Sequence, residues 1–295
     1  MPVPEPSAAV TRVAVVTVSY GSSEVLRDFL ASIPASSAAE LTAIIADNKP
    51  TDADAVEQLA REYGAEYLPL PANPGYGGAI NAAVKNLVAP IEWILVSNPD
   101  LVLGAGSVDL LLAVGDSNPK IASVGPAIWT NNEVYPSARS IPSLRNGIGH
   151  ALFANIWLGN PWTKAYRKDS EYGTIRRDAG WLSGACVLVR RSAFEALGGF
   201  DESFFMYFED VDLGYRLGKL GFRNVYEPAA VVEHSGAHST ETPSESARMI
   251  AVHHESARRF LGKKYSGWLL WPVRFALGIG LSARSALLER RAGHH

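Results

Sequence analysis

Residues Arg12–Ser19 form a run of β-branched and small apolar side chains that ends at Tyr20-Gly21. Such runs are buried on both faces, as strands are in a parallel sheet. Ser22 or Ser23 supplies a cap for a helix in which Val25, Leu26, Phe29, Leu30 and Ile33 keep helical spacing, and Pro34 is expected to stop it. The alternation then repeats. Leu41–Ala46 predicts a second buried strand ending at Asp47-Asn48, 52–63 a helix, and 66–70 a third strand. Asn73–Gly78 reads as a glycine-rich turn into a helix from Ala79, and Trp93–Ser97 as a fourth strand broken by Asn98-Pro99-Asp100. This alternation to about residue 115 predicts right-handed βαβ units, hence an α/β fold with a mostly parallel central sheet flanked by helices.

Beyond Pro126 the pattern loosens. Loops rich in aromatic and basic residues, at Tyr135–Arg139 and Trp157–Trp162, precede a strand-like Gly180–Arg190 and a short helix at Ser192–Leu197. A helix with an acidic start follows at Phe208–Leu220, then a last strand at Val225–Glu233 leading to His234. Helical patterning dominates to the end. The expected organisation is an unstructured 1–10, two halves over 11–125 and 126–240, and a helical extension over 241–295.

Hydrophobic residues make up 47% of the 295 positions and charged residues 19%, enough for a sizeable core and unlike a disordered chain, a coiled coil or a collagen. The single cysteine, Cys186, forms no internal disulfide, so nothing calls for an oxidising compartment and a cytoplasmic protein is expected. Met1–Val10 is Pro-rich without basic residues and does not read as a secretory leader. The net charge of −3 hides an asymmetry: residues 241–295 hold nine Lys/Arg against four Asp/Glu. An acidic body argues against nucleic acid as a partner, and a basic tail suits an anionic surface. Trp268–Ala283 is apolar but interrupted by Pro272 and Arg274, short of the ~20 residues a spanning helix needs. It reads equally as an interfacial segment or as a helix packed on the body or on a partner subunit.

In open parallel sheets, ligands bind at the carboxyl ends of the strands. The punctuation there is polar, and Ser19-Tyr20, Asp47-Asn48, Asn73–Gly78 and Asn98–Asp100 are expected to converge on one crevice. Each has an ordinary reading beside the functional one. Asp47-Asn48 is a turn or a nucleoside contact. The Asn73–Gly78 loop with Asn81 is neither a dinucleotide fingerprint nor a P-loop, yet its glycines allow close approach to an anion at a helix start. Asn98-Pro99-Asp100 is a turn, or it places a carboxylate where a hard divalent cation could meet a diphosphate. Glu209, Asp210 and Asp212 suit a helix N-terminus, but Met206-Tyr207-Phe208 would partly bury them and raise a carboxyl pKa, as a general base requires. His234 at the end of the last strand is a structural histidine or an imidazole ligand that favours Mn²⁺ over Mg²⁺.

Taken in order, the motifs Thr17-Val18-Ser19-Tyr20, Asp47-Asn48, Asn73…Gly75-Tyr76-Gly77…Asn81, Asn98-Pro99-Asp100, Trp181–Ala185, Gly198–Glu202, Phe208–Leu213 and His234 resemble the family 2 inverting glycosyltransferases. The resemblance covers residues 11–240 and implies the GT-A nucleotide-diphospho-sugar transferase fold, with the nucleotide-sugar half first and the acceptor and catalytic half second. Val134–Arg139, Asn160–Thr163 and Ala237–Thr240 are further similar to actinobacterial members that pass L-rhamnose to N-acetylglucosaminyl-diphospho-polyprenol, in building the arabinogalactan linker. That implies dTDP-L-rhamnose as donor, a divalent cation (Mn²⁺ or Mg²⁺), a polyprenyl-diphosphate acceptor, and work at the inner face of the plasma membrane through the C-terminal segment. Homo-oligomerisation stays open.

Residue by residue, the resemblance implies that Thr17, Ser19, Tyr20, Asp47, Asn48, Asn73, Gly75, Tyr76, Gly77, Asn81 and Asn98 serve the donor. Asp100 and His234 would hold the metal, and Asp210 would be the base. Trp181, Leu182, Ser183, Gly184, Glu209 and Asp212 would line the junction with the acceptor. Two departures stand out: Asn98 replaces the first carboxylate of the family's Asp-x-Asp, and Lys49-Pro50 replaces small residues. Rival readings are a family 2 transferase for UDP-hexose or UDP-galactofuranose, a nucleotide-sugar pyrophosphorylase, and a non-catalytic binding protein. Against the pyrophosphorylase, Ser19–Ser22 lacks its glycine-rich Arg/Lys signature.

Overall fold

The structure, a computed structural model, describes residues 12–88, 90–143, 175–234, 243–272, 275 and 279, without the side chains of 243–247. The Trp157–Trp162 loop, the motifs Asn160–Thr163 and Ala237–Thr240, and tail residues Arg274, Leu277, Arg284, Arg290 and Arg291 lie outside these.

The first half alternates as the pattern predicts: β1 (Val13–Ser19), α1 (Ser23–Ser36), β2 (Thr42–Asp47), α2 (Ala53–Glu62), β3 (Glu66–Pro69), α3 (Gly75–Asn86), β4 (Trp93–Ser97), β5 (Leu101–Leu103) and α4 (Ser107–Asp116). Then come β6 (Ile121–Thr130), β7 (Glu133–Tyr135), β8 (Ala138–Arg139), β9 (Arg177–Ala179), β10 (Trp181–Leu182), β11 (Cys186–Arg190), α5 (Arg191–Ala196), α6 (Glu209–Lys219), β12 (Arg223–His234) and α7 (Pro243–Lys264). One ten-stranded sheet has the order β3-β2-β1-β4-β11-β6-β12-β5, with β7 and β9 attached to β6 and β12. It is parallel across β3-β2-β1-β4 and in the β6–β12 pair, while β11 runs antiparallel to both neighbours. β6 spans residue 125, so the sheet is continuous through both halves of the chain.

Strand alternation divides the core. Val13 and Val15 face a layer with Leu26, Phe29 and Leu30 of α1, Val56 and Leu59 of α2, and Leu111 of α4. Ala14, Val16 and Val18 face Ile80 and Ala83 of α3, Phe194 of α5, and Leu213 and Leu217 of α6. A third, smaller cluster joins Phe204 and Val211 to Phe260 of α7. Two expectations shift. Pro34 does not stop α1, which runs on to Ser36, because a proline in the last turn forfeits one amide bond only and its ring φ is helical. The turn at Asn73 is tighter than expected. Asn73 and Gly75 take φ of 46° and 80°, and α3 already begins at Gly75. Among the described residues no helix is long and apolar enough to cross a membrane.

Candidate active site

The four strand-end clusters meet. Ser19 stands opposite Asp47, and Thr17 opposite Ser97. The Asn48 amide donates to the Ser19 carbonyl at 2.9 Å, the Asn48 carboxamide donates to the Gly75 carbonyl at 3.1 Å, and the Tyr76 hydroxyl oxygen lies 3.1 Å from the Asn98 carboxamide. Thr17, Ser19, Asp47 and Ser97 share one face of the sheet by strand parity, and all four are buried. Thr17 Oγ1, Ser19 Oγ and Asn48 Oδ1 have no hydrogen-bond partner. Buried polar atoms are ordinarily bonded, so this row of orphans suits a polar ligand such as a nucleoside. Asp47 is more occupied: it accepts from the Tyr67 hydroxyl at 3.0 Å and the Lys49 amide at 3.1 Å. Burial raises its pKa against the pull of those two bonds, and pushes Tyr67 to about 12. Exposed Tyr20 lies under the Lys49 ammonium, 5.0 Å from the ring centroid, so the Lys49 departure caps the rim of this pocket.

The glycine loop is used differently from a phosphate cradle. A Cβ on Gly75 would sit 2.2 Å from the Phe205 carbonyl oxygen, and one on Gly77 2.9 Å from Phe200 Cβ. The Tyr76 amide donates to Phe205 at 3.0 Å. Asn81 is buried, donating to the Phe200 carbonyl at 2.9 Å and to Glu202, and accepting the Phe200 amide at 2.9 Å. The small residues thus let α3 close against the Gly198–Phe205 loop, which leads to the acidic helix. Asn73 ties the turn through its Oδ1, which accepts the Gly75 amide.

That loop ends in Tyr207 and Phe208, at φ of 65° and 66°. Two consecutive left-handed non-glycine residues are costly and persist only where packing enforces them. They deliver Glu209 and Asp210 to the first turn of α6. On the other side, Gly214 of α6 allows the Trp181 backbone so close that a Cβ would lie 2.7 Å from its Cα. The β10 segment therefore lies directly on α6. Gly184 then donates its amide to Asp210 Oδ2 at 2.9 Å, and its carbonyl accepts the Tyr76 hydroxyl at 2.7 Å. Asp210 Oδ1 accepts the Val211 amide. Burial raises the Asp210 pKa, opposed by these amide bonds and by the charge of Arg139. Ser183 accepts the Ala185 amide. Leu182 and Asp212, expected at the junction, are committed to packing. Leu182 lies in the core, and fully buried Asp212 accepts from Arg216 and Lys263.

Glu209 is buried with Oε2 unpartnered, and burial together with the Asp210 charge lifts its pKa to about 8. A carboxyl holding its proton more tightly folded than unfolded stabilises the protein fully below about pH 4.5. That contribution is lost as pH rises through about 8. Between pH 6 and 8 the loss is about 2 kcal/mol, at about 1.4 kcal/mol per pH unit. Glu209→Gln is expected to remove that slope from denaturant-unfolding free energies. Equal slopes in both proteins would place the titration elsewhere.

Antiparallel pairing of β5 with β12 sets His234 opposite Leu101 and brings its Nε2 to 3.0 Å from Asp100 Oδ2. This hydrogen bond raises the His234 pKa. A carboxylate oxygen and an imidazole nitrogen converging at the sheet edge fit Mn²⁺ or Mg²⁺ as a partial ligand set. No group of three or more His, Cys, Asp or Glu among the described residues could hold a metal, so other ligands would have to come from the substrate or water.

Residues 11–252 match the family model described as glycosyltransferase like family 2. The chain belongs to this family. Two rhamnosyltransferases match over more than nine-tenths of their own length. The N-acetylglucosaminyl-diphospho-decaprenol L-rhamnosyltransferase of Mycobacterium tuberculosis is 42% identical over 94% of this chain and 92% of its own. Rhamnosyltransferase WbbL of Escherichia coli K12 is 29% identical over 85% and 93%. Among solved structures, the mannosyltransferase PcManGT from Pyrobaculum calidifontis, in complex with GDP-Man and Mn²⁺, superposes with a TM-score of 0.59 at 14% identity, covering 97% of this chain and 74% of its own. This family 2 chain is a glycosyltransferase with the GT-A fold.

Proposed function

We propose that this glycosyltransferase moves L-rhamnose from dTDP-L-rhamnose to N-acetylglucosaminyl-diphospho-polyprenol, with inversion, on the cytoplasmic face of the membrane. The observation that carries the reading is the 42% identity to the mycobacterial rhamnosyltransferase along almost all of both chains. The site supports it. The unpartnered hydroxyls of Thr17 and Ser19, with Tyr20, Asp47 and Asn48, receive the nucleoside. Tyr76 fixes Asn98 and Gly184 on either side of the crevice. Asp210, aimed by the Gly184 amide, takes the proton from the acceptor hydroxyl as that oxygen attacks the anomeric carbon from the face opposite the leaving group. One displacement breaks the bond to the nucleoside diphosphate and inverts the configuration. A cation bound by Asp100 and His234 would supply charge neutralisation for the departing diphosphate.

Past α7 the chain presents Trp268, Leu269, Trp271, Phe275 and Ile279 to solvent, Trp268 at 78% exposure. Exposed apolar and aromatic side chains beside a basic stretch suit an interfacial segment, which a bilayer-anchored acceptor requires. The test presents a short-chain prenyl-diphospho-N-acetylglucosamine with labelled dTDP-L-rhamnose, UDP-hexoses or UDP-galactofuranose. Transfer from dTDP-L-rhamnose alone is expected, and preference for a UDP-sugar would overturn the donor. Flotation with anionic vesicles is expected for the wild type and not for a Trp268→Ala, Trp271→Ala double variant. Equal flotation of both would remove the tail from the membrane role.

A further inference from the structure

Arg139 stands out among the cations near the base. Arg216 pairs with Asp212, Arg223 with Asp178 and Arg176 with Glu227. Arg139 forms no ion pair with a carboxylate among the described residues. Its Nε donates to the Pro136 carbonyl at 2.8 Å, and among the described residues neither Nη group is seen to donate a hydrogen bond. The guanidinium lies over two rings, 5.9 Å from the Tyr135 centroid and 5.7 Å from the Trp181 centroid. Stacking of this kind holds an arginine by its faces and leaves its N–H edge free for a bidentate anion.

The backbone carries this cation to the acceptor side of the crevice. β8 pairs with β10 so that Arg139 stands opposite Trp181, and the Ser183 amide donates to the Ser137 carbonyl at 2.7 Å. One residue further on, Gly184 holds Asp210. The Trp181 indole is pinned in turn by the Ser140 carbonyl at 3.2 Å. Arg139 is close enough to Asp210 for its charge to oppose the rise in that carboxyl's pKa. The donor-side residues sit across Tyr76, at the ends of β1, β2 and β4.

We infer that Arg139, with Tyr135 and Trp181 as flanking walls, is the subsite for the diphosphate of the acceptor. The inference rests on the proposed prenyl-diphosphate-linked acceptor and names the residue that recognises its charge. An acceptor that is a sugar joined to a diphosphate needs an aromatic surface for the sugar and a forked cation for the phosphates. The Tyr135–Arg139–Trp181 stack offers both beside the base. Tyr135 is 41% exposed, so the stack is open to solvent.

The experiment compares two acceptors, short-chain prenyl-diphospho-N-acetylglucosamine and octyl N-acetyl-β-glucosaminide at high concentration, in wild type, Arg139→Gln and Arg139→Lys. Arg139→Gln is expected to raise KM for the diphosphate acceptor about 10- to 100-fold, with donor KM held. The ratio of kcat/KM between the two acceptors should collapse by the same factor, and Arg139→Lys should recover part of it. An equal fall in kcat on both acceptors would mean that Arg139 acts only through Asp210, and would overturn the inference. So would an unchanged ratio. If the wild type transfers to neither acceptor, the proposed function itself falls, a result distinct from a wild type that discriminates and a variant that discriminates equally well. Melting temperatures of the variants separate misfolding from lost recognition.

Discussion

Asp210→Asn is expected to lower kcat by about 10³-fold while leaving the KM of both substrates within about threefold, because the change removes the proposed proton acceptor and keeps the shape. The local cost is small and calculable in kind. Asp210 accepts the Gly184 and Val211 amides with separate oxygens, and an asparagine has one acceptor oxygen, so one amide faces an NH₂ group. A loss of about 1 kcal/mol of stability follows, too little to account for the kinetic effect. Single-turnover transfer at saturating substrates reads the chemical step directly. Glu209→Gln is the control. Glu209 is the more deeply buried carboxyl and holds its proton to about pH 8, so near neutrality it is a neutral neighbour and its amide variant should keep most of the rate. If the two variants exchange these outcomes, Glu209 is the base and the roles of the acidic pair are reversed.

The first half of the fold was legible because each buried strand and amphipathic helix advertises itself locally. Val13–Ser19 and Trp93–Ser97 are strands by run length and branching, and the structure pairs them in parallel. The convergence of four polar strand ends followed from topology alone. What the chain hid was long-range. Nothing near Asp100 announces that β5 will pair with β12 and bring His234 to it; only the ordered motifs suggested that pairing. The glycines at 75 and 77 looked like room for an anion, and they are room for Phe205 and Phe200. A missing side chain records that something comes close, without recording what. Asp212 reads as part of an acidic site; its partner Arg216 lies one turn along the same helix, but its second partner Lys263 lies 51 residues away on α7, a distance no local pattern spans.

Phe260→Ala is expected to destabilise the protein by about 3–5 kcal/mol, the range for deleting a fully buried phenylalanine. Phe260 has no exposed surface and fills the cluster formed by Phe204 and Val211, with Phe208 at 5.8 Å and Tyr215 at 5.7 Å between ring centroids. α7 is therefore a buttress of α6 and not a free appendage. Lys263 bridges Asp201 and the buried Asp212, the Ser256 hydroxyl donates to the Met206 carbonyl at 2.8 Å, and the His253 ring packs on Tyr207 and Phe208. These contacts grip the two left-handed residues that set Glu209 and Asp210 in place. The variant should thus lose activity at temperatures where it is still folded, with kcat falling more than donor KM changes. Denaturant unfolding and kinetics at low temperature read the two effects separately. A loss under about 1 kcal/mol would show that α7 is not docked in solution. The contrast is Trp268→Ala, only a few residues further on: with 78% of that side chain in water, it should leave unfolding free energy within about 0.5 kcal/mol of wild type. One stretch of chain thus divides its apolar residues between two environments, those of α7 buried against α6 and those beyond it exposed to water.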